Sequence, residues 1–292
     1  MSRYIGLIGY PLRHSISPYF QQAALDYYQL DIRYEPWERE GAQLPGVVND
    51  LREAQNVGAN VTLPYKEAIL PLLDVVDELA SSIGAVNTIV KRDDKLVGFN
   101  TDADGFIRTL EKEGHLVPAG KRVVVLGAGG VARAVSFVLT EREVASLSIT
   151  DRRFERARTL AESLVRYMKL AAPNAKDRRP NISAFEWQNL KSAKTLESCD
   201  LIVHCTTIGM KGSPQEGESI LSLEVIPRNV LVYDVVYNPW PTPLLKLAQK
   251  AGASIVGGLP MLVYQGAASF RLWTGKEAPI DIMFDKAREM LA

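Results

Sequence analysis

The sequence predicts an α/β protein of two domains. Short apolar runs alternate with amphipathic stretches along most of the chain, as when strands and helices take turns. The run from Arg122 through Val123-Val124-Val125-Leu126 is continuously apolar, as a strand covered on both faces requires. A length of 292 residues accommodates two medium-sized domains.

Residues 4–8 read as a strand ended by Gly9. Ser17-Pro18 reads as a helix start, a serine cap followed by proline in the first turn, with residues 19–28 as the helix. Residues 58–62 form a short strand stopped by Pro64, and residues 69–76 and 77–83 carry helical spacing. Residues 86–90 and 96–99 pair as strands around the turn Arg92-Asp93-Asp94. A second unit starts near Asp104, with strands expected at 122–126, 146–150, 201–205, 230–236 and 254–256. Helical patterns at 154–168 and 243–251 lie between them, the pattern of a doubly wound parallel sheet. Residues 261–291 read as two helices split at 275–279, and residues 172–181 as a surface insertion.

Lys+Arg and Asp+Glu both number 34, so there is no basic excess to draw nucleic acid. The local run Lys176-Asp177-Arg178-Arg179 reads as a solvated loop. Two cysteines, Cys199 and Cys205, do not make a disulfide framework, and three scattered histidines give no zinc spacing, so no metal is expected. The first nine residues lack the length and cleavage pattern of a signal peptide, and no apolar run reaches the roughly 20 residues of a membrane span. A cytoplasmic protein is the expectation.

Chemistry enters at Gly127-Ala128-Gly129-Gly130-Val131-Ala132, which follows the best strand and precedes a helical stretch. Gly127 permits a tight turn, Gly129 lets backbone approach a pyrophosphate, and Ala132 is small enough for the helix to pack on the strand. The expected ligand is a dinucleotide. About 20 residues further on, Asp151 suits a ribose diol and so NAD, whereas Arg152, Arg153 and Arg156 suit a 2′-phosphate and so NADP. The arginines outnumber the carboxylate, so NADP is expected, with NAD possible.

In the first hundred residues, polar side chains cluster where strands end. Ser15 and Ser17 flank Ile16; Asn60 and Thr62 share one side of an extended segment; Lys66, Asn87 and Asp102 follow. Hydroxyls, amides and a cation suit a small polyhydroxylated acid. The chain resembles the shikimate dehydrogenase family over essentially its whole length. The resemblance is carried by Gly9-x-Pro11-x-x-His14-Ser15-x-Ser17-Pro18, Asn60-Val61-Thr62-x-Pro64-x-Lys66, Gly84-Ala85-x-Asn87-Thr88 and Asn100-Thr101-Asp102. It continues in Gly127-Ala128-Gly129-Gly130, Asp234-x-x-Tyr237-Asn238-Pro239 and Gly257-Gly258-x-x-Met261-Leu262-x-x-Gln265-Gly266.

The resemblance implies a Rossmann domain at 105–260 and a substrate domain at 1–104 completed by about 261–292. It implies a catalytic dyad of Lys66 and Asp102, with Ser15 and Ser17 on a substrate carboxylate and Asn60, Thr62, Asn87 and Gln265 on ring hydroxyls. Tyr237 would lie near substrate or nicotinamide; Gly258 and Met261 join the cofactor set, although Met261 also suits a core. The family's Asn-Arg-Thr-x-x-Arg phosphate motif stands here as Asp151-Arg152-Arg153-Phe154-Glu155-Arg156. The implied reaction is NADPH-dependent reduction of 3-dehydroshikimate to shikimate, in aromatic amino-acid biosynthesis, by a monomer or homodimer. An NAD-linked quinate/shikimate dehydrogenase and a non-enzymatic dinucleotide-binding regulator are the alternatives.

Overall fold

The computed structural model describes residues 3–171, 180–192 and 196–292, so the run Lys176–Arg179 and nearly all of the expected insertion at 172–181 lie outside the described residues. The chain forms two compact units, Met1–Phe106 with Pro260–Ala292, and Ile107–Leu259.

The first unit begins with β1 (Arg3–Gly9), α1 (Ser17–Tyr27), β2 (Ile32–Glu38), α2 (Leu44–Asp50) and β3 (Asn56–Val61). It continues through β4 (Val75–Val76), α3 (Glu78–Ile83), β5 (Thr88–Arg92), β6 (Lys95–Phe99) and the first turn of α4 (Asp102–Lys112), whose residues from Ile107 on belong to the second unit. Its sheet runs β2-β1-β3-β5-β6-β4. β1 is parallel to both neighbours, while β5 is antiparallel to β3 and β6. Asp93 and Asp94, at φ 45° and 63°, make the two-residue hairpin turn whose backbone twist matches the strands it joins. Ile8, Leu51, Ala59, Val61, Ile69, Val86 and Ile89 pack into one core.

Two expectations need correction here. Residues 69–76 are a single 3-10 turn, Leu70–Leu72, followed by β4, which pairs with Val97 and Gly98. Asp74 is held by Arg52 at 2.7 and 3.0 Å and accepts the Leu96 N–H at 2.8 Å, so tertiary pairing overrides the helical spacing. Ser17 is also not a side-chain cap. Ile16 occupies the cap position, Ser17 lies in the first turn, and Ser15 Oγ accepts the Ser17 N–H at 3.4 Å.

The second unit holds β7 (Arg122–Leu126), α5 (Gly130–Glu141), β8 (Ser146–Thr150), α6 (Phe154–Ala171) and β9 (Asn181–Ala184). Then come β10 (Leu201–His204), β11 (Leu231–Asp234), α7 (Pro243–Ala251) and β12 (Ser254–Val256). The sheet order is β12-β11-β10-β7-β8-β9, with every pairing parallel. Counted from β7, this is the 3-2-1-4-5-6 order of the Rossmann fold, and the order reverses between β7 and β10. Two final helices, α8 (Leu259–Thr274) and α9 (Ile280–Glu289), belong almost wholly to the first unit. Trp273 Nε1 donates to Ile89 O at 2.9 Å, and Gln21 Nε2 to Gly266 O at 2.9 Å.

Candidate active site and cofactor turn

After β3 the chain turns, with Tyr65 N–H on Thr62 O at 3.0 Å, and Lys66 follows. Lys66 is fixed from behind because its carbonyl accepts the Val86 N–H at 2.8 Å. Asp102 opens α4, where helix N–H groups favour a carboxylate. Its own N–H donates to Asn100 Oδ1 at 3.0 Å, and Asn100 Nδ2 donates to Ala85 O at 2.9 Å. Lys66 Nζ donates to Asp102 Oδ2 at 2.6 Å. Both residues are buried, at 9% and 3% exposure, which an ammonium tolerates only beside a counter-charge.

Asn87 completes the pair. Its Nδ2 lies 3.0 Å from Asp102 Oδ1, 2.8 Å from Thr101 Oγ1 and 3.1 Å from Gln265 Oε1, while its Oδ1 accepts the Thr101 N–H at 2.8 Å. Gln265 Nε2 donates to Leu262 O at 2.7 Å. Lys66, Asp102, Asn87 and Gln265 thus form one hydrogen-bonded cluster. The arrangement presents an ammonium whose counter-ion is locked on both oxygens. Such a group can donate a proton to an adjacent oxygen and take it back.

Asn60 sits deeper. Its Nδ2 donates toward Asn87 O, Thr88 Oγ1 and Ser269 Oγ at 3.0–3.2 Å, and its Oδ1 accepts the Tyr34 hydroxyl at 2.8 Å. Burial pushes the Tyr34 phenol well above its ordinary range, so it keeps the proton it donates. Ser269 ties the layer together, with Thr88 Oγ1 at 2.7 Å, Thr101 Oγ1 at 3.1 Å and Gln265 O at 3.0 Å. Neither Tyr34 nor Ser269 stood out in the sequence. Ser269 is a lone hydroxyl in an apolar run and Tyr34 an aromatic between Arg33 and Glu35, and only the tertiary fold brings them to Asn60. Thr62 and Ser15 are half-buried, Ser17 is buried and His14 is exposed.

In the second unit, Gly127 has φ 119°, a conformation side chains disfavour, and its N–H donates to Thr150 O at 2.7 Å. Gly129 caps α5, and a Cβ placed there would meet no protein atom within 4 Å, which leaves that side of the turn open to a ligand. Gly130 is buried, Val131 is half-buried, and Ala132 is fully buried where α5 meets the sheet. Asp151 braces the turn from β8. Its Oδ2 accepts the Ala128 N–H at 3.0 Å and its Oδ1 the Arg153 N–H at 2.9 Å. Arg152 and Arg153 are exposed and Arg156 is half-exposed. An open glycine turn, a helix N-terminus and three nearby guanidinium groups fit a phosphorylated dinucleotide. Gly258 and Tyr237 belong to this unit; Met261 belongs to the first unit and is buried there at 5% exposure.

Comparison with known proteins gives the family. The shikimate dehydrogenase substrate binding domain matches residues 7–89, shikimate / quinate 5-dehydrogenase residues 111–207, and the shikimate 5′-dehydrogenase C-terminal domain residues 258–285. The chain is 40% identical over 288 residues to the shikimate dehydrogenase (NADP(+)) of Methanopyrus kandleri, covering 98% of this chain and 95% of that protein. A crystal structure of a shikimate dehydrogenase in complex with NADP+ matches at 35% identity and TM-score 0.87, over 100% of this chain and 96% of that one. The shikimate 5-dehydrogenase of Thermus thermophilus, in complex with NADP(H) and shikimate, matches at 35% identity and TM-score 0.83, over 99% of this chain and 100% of that one. A quinate dehydrogenase from Corynebacterium glutamicum in complex with NAD matches at 30% identity and TM-score 0.85, over 99% of each chain. With its buried Lys66–Asp102 pair, its Rossmann sheet and this full-length likeness, the chain belongs to the shikimate dehydrogenase family of NAD(P)-dependent oxidoreductases.

Proposed function

We propose that the protein interconverts 3-dehydroshikimate and shikimate with NADP(H), in aromatic amino-acid biosynthesis, and that Lys66 and Asp102 carry the proton chemistry. The observation that carries this is the buried 2.6 Å contact between Lys66 Nζ and Asp102, whose other oxygen is already held by Asn87. When bound, the nicotinamide supplies or accepts the hydride. Lys66 stabilises negative charge on the ketone oxygen and donates a proton to it; in the reverse direction it accepts the alcohol proton. Asp102 orients the ammonium and balances its charge. Ser15 and Ser17 bind the substrate carboxylate, and Thr62, Asn87 and Gln265 bind ring hydroxyls. Asn60, whose amide also reaches Tyr34, Thr88, Ser269 and the Asn87 carbonyl, joins them on the ring hydroxyls.

Residues 1–104 with about 261–292 form the substrate-binding part, and residues 105–260 the cofactor-binding part. Gly127 to Ala132 would hold the pyrophosphate, Gly258 and Met261 would join the cofactor set, and Tyr237 would serve the substrate or the nicotinamide. NADP is favoured over NAD because both Asp151 oxygens are engaged by backbone N–H groups, while Arg152, Arg153 and Arg156 remain close by for a 2′-phosphate. The protein works in the cytoplasm as a monomer or homodimer. Among the described residues no helix is long and apolar enough to cross a membrane, and neither cysteine is in a disulfide. Initial rates with shikimate and quinate, each with NADP+ and NAD+, test the assignment. Shikimate with NADP+ should give the highest kcat/KM. Faster quinate oxidation with NAD+ would reassign the chain to the quinate branch, and no absorbance change at the nicotinamide band would leave only a dinucleotide-binding protein.

A further inference from the structure

The second unit contains a chain of buried polar groups that the reaction above does not use. His204 ends β10 and Asp234 ends β11, paired directly in parallel register, and both have 0% exposure. His204 Nδ1 lies 2.8 Å from Asp234 Oδ1, which also accepts the Val236 N–H at 3.0 Å. Asp234 Oδ2 accepts the Thr242 hydroxyl at 2.6 Å, and Thr242 Oγ1 accepts the Leu245 N–H at 3.2 Å in the first turn of α7. A carboxylate only accepts, so His204 Nδ1 must carry the proton. His204 Nε2 shares a hydrogen bond with the Thr206 hydroxyl, 2.5 Å away. Thr206 Oγ1 in turn accepts the Ile208 N–H at 3.2 Å. The line from α7 to Thr206 is thus joined by a hydrogen bond at every step.

The far end of this line is at the cofactor turn. A Cβ placed on Gly127 would meet Cys205 O at 3.0 Å and Thr206 Cγ2 at 3.1 Å, so residues 205–206 lean directly on the first glycine of the fingerprint. The contact falls where the strand order reverses between β7 and β10, the crevice in which open α/β sheets take their ligands. For packing alone, apolar residues would fill these interior positions at least as well as a buried imidazole and carboxylate do. What the polar line adds is a fixed direction for one hydroxyl and the turn that bears it.

We propose that His204, backed by Asp234, is a positioning residue for cofactor binding. Through Thr206 it holds residues 205–208 against Gly127 and so presets the turn for the dinucleotide. This rests on the assignment of the Gly127–Ala132 turn to the cofactor. The test is isothermal calorimetry of NADP+ and of shikimate on the full chain, with His204→Asn, Thr206→Val and the double variant. The asparagine amide keeps a donor for Asp234 but is too short to reach Thr206; valine keeps the shape of threonine without the hydroxyl. Each single variant should weaken NADP+ binding about five- to tenfold, the size of one lost hydrogen bond. The double variant should be no weaker than the poorer single one, because both cut the same link. Shikimate affinity should stay within about twofold of wild type, which a general loss of structure would not allow. Wild-type NADP+ affinity in His204→Asn, additive losses in the double variant, or an equal loss of shikimate binding would each overturn the proposal. If His204→Asn does not fold, Thr206→Val decides alone, and unchanged NADP+ affinity there is fatal to it. Failure of the wild-type chain to bind NADP+ overturns the cofactor assignment and this relay with it, whereas wild-type binding that the variants leave untouched overturns the relay only.

Discussion

Lys66 is buried to 9% exposure with its ammonium on Asp102, and nothing in its residue type foretells that burial. A lysine after a strand is ordinarily a solvated surface group; here Asp102 pairs with its ammonium, and Asn87 holds the other Asp102 oxygen. Lys66→Ala should lower kcat at least about 10²-fold, the usual size of a lost general acid, and leave shikimate Kd within about an order of magnitude. Single-turnover rates and equilibrium dialysis measure the two effects, and near-normal turnover would remove Lys66 from the mechanism. The buried Lys66–Asp102 pair was legible only through the spacing of several signatures together, because the partners lie 36 residues apart and neither is distinctive alone. Asn60 shows the limit of such reading. The sequence places an amide at a strand end, where ligand and scaffold roles look alike. Only the fold brings in Tyr34 from β2 and Ser269 from α8, which give that amide protein partners at both ends.

Helix α8 contributes Ser269 to that layer, so the element's attachment can be tested at one hydroxyl. Ser269→Ala leaves Asn60, Thr88 and Thr101 each short of a buried partner and should destabilise the fold by about 1–3 kcal/mol, read as a lower urea midpoint. The strands β7 and β10 are tied at their starts by Arg122 and Asp200. Arg122 N–H and Nε reach Asp200 Oδ2 at 2.8 and 3.1 Å, and Nη2 reaches Oδ1 at 3.2 Å. Hydrogen bonds from Arg122 hold the Asp200 carboxyl below the usual carboxylate range. The tie therefore stabilises the fold above about pH 4, the ordinary carboxylate value, and is lost as pH falls through the lowered one. Asp200→Asn should lower the urea midpoint at pH 6 and converge on wild type as the buffer is taken toward pH 3. The parallel strands of the second unit were legible where burial on both faces writes a continuous apolar run, as in β7 and β10, whereas β9, with exposed positions alternating along it, was not. β2 was not, since it carries Pro36; as the sheet's edge strand it has a free side on which a proline costs no ladder bond. The short β4 was likewise hidden, because its pairing with β6 depends on a hairpin partner and an Arg52–Asp74 contact remote in sequence.

Over the whole molecule, 34 basic and 34 acidic residues cancel and the isoelectric point is about 6.9. Long-range repulsion between copies is therefore weakest near neutrality, so solubility should pass through a minimum close to pH 7 and rise on either side. Light scattering of a concentrated sample across pH 5.5–9 measures this; a monotonic trend would show that charge balance does not govern association. The return of α8 and α9 to the opening unit has a consequence for how the polypeptide is made. Trp273 caps the Ile89 carbonyl across 184 positions, and Gln21 grips the Gly266 carbonyl across 245. On a ribosome emitting the chain from its amino end, the Rossmann sheet, whose last strand closes at Val256, has all its residues before those contacts can form. The first part to be synthesised is thus the last to be finished, and its apolar surface waits for the carboxyl-terminal helices to arrive.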